Sequence, residues 1–287
     1  MMSSSGVAMS AEESRDIGWL GIFRLGLVQA AIGAIVVITT STLNRVLVVE
    51  LALPALVPGL LVALHYFVQV LRPRFGYGSD VGGRRTPWII GGMAVLGLGA
   101  VGASVATALM VSDLWLGMML ATFSFLLVGL GVGACGTAML VLLSTNVANP
   151  RLAAAATVTW VMMIVGFIVT SVLAGKMLEP FSMLRLVEVT AVVAATAFLV
   201  TCAAVSRIET RSAGARERQQ RGLNDATAEQ GFVAALREVW NEPHSRRLAG
   251  FVFVSMLAYS AQDLVLEPFA GAVFGLTPGE STRLSGM

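Results

Sequence analysis

Arg72-Pro-Arg-Phe-Gly-Tyr-Gly-Ser-Asp-Val-Gly-Gly-Arg-Arg-Thr-Pro-Trp88 is a short basic segment held between two long apolar ones. Its arginines, Arg72, Arg74, Arg84 and Arg85, are answered by one acid, Asp80. Gly76 and Gly83 permit close backbone approach and a tight turn. Asp80 can exchange charge-assisted hydrogen bonds with Arg84 and Arg85. The segment therefore reads as a hairpin at a membrane edge that joins two spans.

Composition supports a membrane setting. The 287 residues are 56% hydrophobic and 13% charged, with a mean hydropathy of +0.80. A soluble domain carries a charged fraction about twice as large. Cys135 and Cys202 fall within apolar segments, where they act as small hydrophobes and imply neither a disulfide nor a metal site. Basic charge outside the apolar runs is concentrated between 207 and 247, and no nucleic-acid surface is expected.

A bilayer-spanning helix needs about 20 predominantly apolar residues. By that measure seven spans are expected, near 19–43, 54–71, 88–110, 114–143, 153–175, 184–206 and 248–274. The loops after spans two, four and six hold Arg72, Arg74, Arg84 and Arg85, then Arg151, then Arg207 to Arg247. The opposite loops hold Arg45 against Glu50, Asp113 alone, and Lys176 with Arg185 against Glu179. Arginine is retained on the cytoplasmic side during insertion, so the N-terminus is expected in the cytoplasm.

The expected organisation is a cytoplasmic tail over 1–16, a six-helix bundle over 17–206, a cytoplasmic linker over 207–247, and a seventh span with the start of further structure over 248–287. Within the linker, Phe232, Leu236, Val239 and Trp240 fall at i, i+4, i+7 and i+8, an apolar stripe on one helical face. That helix either lies on the membrane surface or packs as a solvated linker. The stretch from Leu276 to Met287 resembles a loop leading into an eighth helix, and the chain is expected to be a fragment or the product of a truncated gene.

Two formal G-x-G-x-x-G matches, at Gly97, Gly99, Gly102 and at Gly131, Gly133, Gly136, lie inside apolar runs rather than between a strand and a helix, so a dinucleotide fingerprint is excluded. Gly129 and Gly133 stand at the small-xxx-small spacing that lets membrane helices approach. Polar groups inside spans are costly and point to function. Four stand out: Gln29 in span one, His65 in span two, and Asp263 and Glu267 in span seven. Asp263 and Glu267 share one helical face next to Pro268, and they could bind a cation, a proton or a polar ligand, or pair with an arginine. His65 sits near mid-depth, where a neutral imidazole could ligate the magnesium of a tetrapyrrole. The rival reading is a histidine hydrogen-bonded to a neighbouring helix.

Gly76, Asp80, Gly83, Arg84 and Arg85 match the G-x-x-x-D-x-x-G-R-R pattern between helices two and three of the major facilitator superfamily, with Val81 where Arg or Lys is common. The wider wording resembles the PucC/LhaA family of light-harvesting complex assembly proteins in phototrophic bacteria. It is carried by Thr42-Leu-Asn-Arg-Val, Val49-Glu-Leu-Ala-Leu-Pro-Ala, Pro58-Gly-Leu-Leu-Val-Ala-Leu-His-Tyr, the hairpin, and Ala258-Tyr-Ser-Ala-Gln-Asp-Leu-Val-Leu-Glu-Pro-Phe-Ala-Gly.

The resemblance implies an all-α major facilitator fold, comprising the N-terminal six helices and helix seven, in a bacterial inner photosynthetic membrane. It also implies a non-enzymatic role in holding or delivering bacteriochlorophyll a, antenna α/β polypeptides, or both. The hairpin residues would fix the arrangement of the two halves. His65, Gln29, Asp263 and Glu267 are the candidate pigment or ligand contacts, with His65 read either as an axial ligand to the pigment magnesium or as a histidine hydrogen-bonded to a neighbouring helix. A secondary transporter of a small solute or pigment precursor is the alternative.

Overall fold

The computed structural model describes residues 17–81, 84–206, 208, 237 and 240–284. Among them the regular structure is helical, and six helices are long and apolar enough to cross a membrane: α1 (Trp19–Glu50), α2 (Leu56–Ser79), α3 (Thr86–Leu109), α4 (Leu114–Asn146), α5 (Asn149–Met177) and α6 (Met183–Val205). The chain is an all-α, multi-pass membrane protein. A 32-residue helix, α7 (Pro243–Phe274), and a short one, α8 (Pro278–Leu284), follow.

Local chemistry explains the ends. Asp113 accepts from the Leu116 amide at 3.0 Å and caps α4, and Ser182 accepts from the Arg185 amide at 3.1 Å and caps α6. Such caps satisfy amides that a helix start leaves without partners. Helices α3, α5 and α7 carry Pro87, Pro150 and Pro243 in the first turn, where proline's missing N–H is harmless. Gly275, at φ 66°, ends α7 in the left-handed conformation that glycine adopts freely.

The core is a glycine-mediated packing of α4 between α2 and α3. A Cβ on Gly129 would fall 2.6 Å from the His65 carbonyl of α2, and one on Gly133 would fall 2.9 Å from the Phe75 ring. On the opposite face, a Cβ on Gly131 would fall 2.6 Å from the Leu96 Cα of α3, and one on Gly99 of α3 would fall 2.7 Å from the Val128 amide nitrogen. Residues 129 and 133 share a face and 131 points away from it, so a single helix makes two close seams. Helix α1 meets α5 in the same manner, with Gly33 against the Met163 carbonyl.

Two expectations are corrected. The segment after the second span is not a hairpin from residue 72. A 3-10 turn, Gln69–Leu71, leads into a further α-helix, Arg72–Val81, so Gly76 is helical and makes no tight turn. Pro73 sits in the first turn of this extension, where it is tolerated, and Phe75 anchors it between Gly133 and Trp88, whose ring centroid lies 6.3 Å away. The first span also runs past its expected end near residue 43, through π-helical turns Ile38–Thr42 and Val46–Glu50. Arg45 and Glu50, read from the sequence as a loop, are therefore helical.

The seventh expected span, 248–274, falls within α7. Of the linker stripe, Phe232, Leu236 and Val239 lie outside the described residues, and Trp240 is helical and exposed.

Candidate functional site

The expected polar contacts do not converge. Gln29 on α1 faces α5, where its Nε2 donates to Met163 Sδ at 3.3 Å; its Oε1 is buried with no partner among the described residues. His65 lies on the other side of the bundle, on α2 against α4. The Asp263 and Glu267 backbones are helical in α7, and their side chains lie outside the described residues. Of the hairpin motif, Gly83 and the Asp80 side chain also lie outside them. Arg84 is exposed, and Arg85 Nη1 donates to Thr145 Oγ1 at 2.9 Å, tying the loop to the end of α4.

His65 is 1% exposed. Its Nε2 is 2.8 Å from Gln69 Nε2, one turn on along the same helix. An amide nitrogen can only donate, so His65 Nε2 accepts and the proton of the neutral ring is assigned to Nδ1. That nitrogen has no partner among the described residues. The residue is enclosed: α4 meets its backbone carbonyl at Gly129, and Nε2 is engaged by Gln69. Of the two readings of His65, a metal ligand or a hydrogen-bonded histidine, the structure shows a hydrogen bond, made within α2 rather than to a neighbouring helix.

The sequence reading missed a polar junction at the other end of the bundle. Arg45, 2% exposed, donates from Nη1 to Glu50 Oε1 at 2.7 Å and from Nη2 to the Leu276 carbonyl after α7. Thr42 and Thr282 share a 3.1 Å hydrogen bond, and Arg283 pairs with Glu179. Gly175 of α5 and Gly279 of α8 meet backbone to backbone. A cavity of about 330 Å³ lies beside Arg45, between Val49, Phe181, Gly271 and Thr277. Arg45 lies between the two π-helical turns of α1, and such turns concentrate at functional sites. A second cavity, about 590 Å³, opens between the end of α5 and α6 beside Lys176, Glu179, Arg185 and Glu188.

A family model described as PUCC protein matches residues 42–287. The chain belongs to this family. It is 50% identical over 271 residues to the Bacteriochlorophyll synthase 44.5 kDa chain of Rhodobacter capsulatus, covering 94% of this chain and 61% of that protein. It is 30% identical over 288 residues to Protein PucC of Rhodovulum sulfidophilum, covering 95% of this chain and 62% of that one. Against Protein PucC of Cereibacter sphaeroides it is 29% identical over 283 residues, with 92% and 59% covered. The chain thus spans about three fifths of the length of these curated relatives. The family match includes the hairpin motif, the Arg45 junction, α7 and α8.

Most of this family member's α5 faces outward. Only 11% of its apolar window is buried, against 61% for α1 and for α4. Val161, Ile164, Val165, Ile168, Val169 and Leu173 are all exposed. Their spacing forms a continuous apolar stripe along the helix.

Proposed function

We propose that this chain acts in the assembly of bacterial photosynthetic light-harvesting complexes, holding or delivering bacteriochlorophyll, antenna α/β polypeptides, or both, within the membrane. The observation that carries the reading is the 50% identity, over nearly the whole chain, to a relative named for bacteriochlorophyll synthesis, within a family described as PUCC protein. The geometry supplies a surface suited to the task. The exposed apolar stripe of α5 can receive a single apolar helix or a pigment laterally, because helix association in lipid relies on packing.

The name of that relative also raises an enzymatic reading. We favour a binding role, in which the chain presents pigment or polypeptide and performs no bond chemistry on it. We propose an inner photosynthetic membrane as its location, and the arginine-rich loops support an orientation with the N-terminus and the loop containing Arg84 and Arg85 in the cytoplasm. We further propose that residues 17–206 form the unit that holds the cargo, as one half of a major facilitator arrangement. Gln29 within that unit, and Asp263 and Glu267 on α7 outside it, are proposed as polar contacts to the cargo.

Complementation tests the reading. The chain is expressed in a phototroph lacking its 50%-identical relative, and near-infrared antenna absorbance is compared with total extractable bacteriochlorophyll. Restored antenna bands at unchanged total pigment support assembly. Total pigment that rises with the chain's expression would point to synthesis instead, and solute flux into vesicles holding the purified chain would point to the transporter.

A further inference from the structure

We infer that Arg72, with Gln69 one turn before it, holds the phosphate of an anionic phospholipid at the seam between α2 and α4. This site does not rest on the proposed function. Three polar side chains follow one another on α2 at i, i+4 and i+7: His65, Gln69 and Arg72. All three present donors. With His65 Nε2 accepting from Gln69, the Nδ1 proton is an unmatched buried donor, and Gln69 Nε2 keeps a second N–H. Among the described residues, Arg72 Nε is also buried with no partner, and no carboxylate pairs with the Arg72 guanidinium.

A cation within a membrane span calls for a counter-charge. Depth indicates where that charge comes from. Arg72 stands sixteen residues after Leu56, about 24 Å along a helix rising 1.5 Å per residue, in a hydrocarbon layer of about 30 Å. Its side chain can therefore run outward to the headgroup layer while its stem stays in apolar surroundings. The stem lies over Gly133, whose added Cβ would come 3.8 Å from Arg72 Cγ. Phe67, Val70 and Leu71, exposed on the outer side of α2, offer an apolar track for the acyl chains. Basic pockets between membrane helices bind anionic headgroups on these terms.

Native mass spectrometry of the detergent-purified chain, titrated with phosphatidylglycerol or phosphatidylcholine, tests the assignment. The intact chain is expected to hold one phosphatidylglycerol in preference to phosphatidylcholine. Arg72→Gln should weaken that adduct about five- to tenfold, Arg72→Lys should retain most of it, and Arg151→Gln, a distant arginine, should leave it unchanged. Phosphatidylglycerol held equally by Arg72→Gln overturns the proposal, as does the absence of any preference in the unmodified chain. Displacement by millimolar inorganic phosphate would overturn the lipid as the source and leave a free-phosphate site. Should Arg72→Gln fail to fold, the lipid preference of the unmodified chain and its retention in Arg72→Lys still decide the matter.

Discussion

Arg45 and Glu50 form a 2.7 Å ion pair at the end of α1, with the arginine 2% exposed. The same guanidinium holds the Leu276 carbonyl, so one buried cation joins α1 to the segment between α7 and α8. Removing one partner of a buried pair leaves an uncompensated charge and is more damaging than the pair is stabilising. Glu50→Gln should destabilise the detergent-solubilised protein by about 2–4 kcal/mol, read as a lower thermal midpoint. Arg45→Met, which removes charge and keeps length, should be less harmful than Glu50→Gln. Equal stability of Glu50→Gln and the parent would show that the pair carries no such burden.

The two glycine seams of α4 give a second expectation. Gly131→Ala or Gly92→Ala places a Cβ against neighbouring backbone, 2.6 Å from the Leu96 Cα and 2.5 Å from the Cys135 amide nitrogen respectively. Backbone cannot swing aside as a side chain can, so each should cost about 1–3 kcal/mol. Gly91→Ala, whose Cβ would meet nothing within 4 Å, should be neutral or slightly stabilising. A melting series that ranks Gly91→Ala with the other two would contradict the packing described.

The first turn of α8 should depend on pH. Glu280 accepts from the Thr277 amide at 2.9 Å and from its hydroxyl at 3.1 Å. These bonds hold its pKa below the ordinary 4.5. A carboxyl whose folded pKa is depressed contributes stability fully above its unfolded pKa and loses it as pH falls through the folded one. Hydrogen exchange of the α8 amides, corrected for intrinsic rate, should therefore accelerate as pH drops below about 4.5. Glu280→Gln should exchange rapidly at every pH, and an unchanged pH profile in that variant would assign the effect elsewhere.

His65 supplies a fourth test. Its enclosure by α4 predicts that His65→Ala leaves any co-purified pigment in place, while the lost Gln69 contact and the void lower stability by about 1–3 kcal/mol. Loss of pigment from a folded His65→Ala protein would show that α2 and α4 part to admit it.

Membrane spans three to six were legible because length and apolarity alone determine them, and their structural ends fall close to the expected ones. The exceptions have physical causes. Arg45 looks like a loop residue until Glu50, nearly one and a half turns on, is seen to neutralise it, so α1 continues. Arg72 looks like the end of a span, yet its long stem lets the helix proceed while the charge reaches outward. The site was less readable. His65 drew attention as an intramembrane histidine, but sequence cannot show that Gly129, from a helix some sixty residues later, packs on its backbone carbonyl and helps to bury it. Arg45 and Thr42 lay within a segment that already marked the family resemblance, and their meeting with Leu276 and Thr282 is a tertiary contact with no local signal.

The most direct measurement is an absorbance spectrum of the chain purified in mild detergent from a pigment-producing phototroph, with the co-purifying polypeptides identified in the same fraction. The account predicts bacteriochlorophyll or antenna α/β polypeptides in stoichiometric amount, diminished when Val161, Val165 and Ile168 on the α5 stripe are replaced by serine. A colourless, folded protein without antenna partners would contradict it.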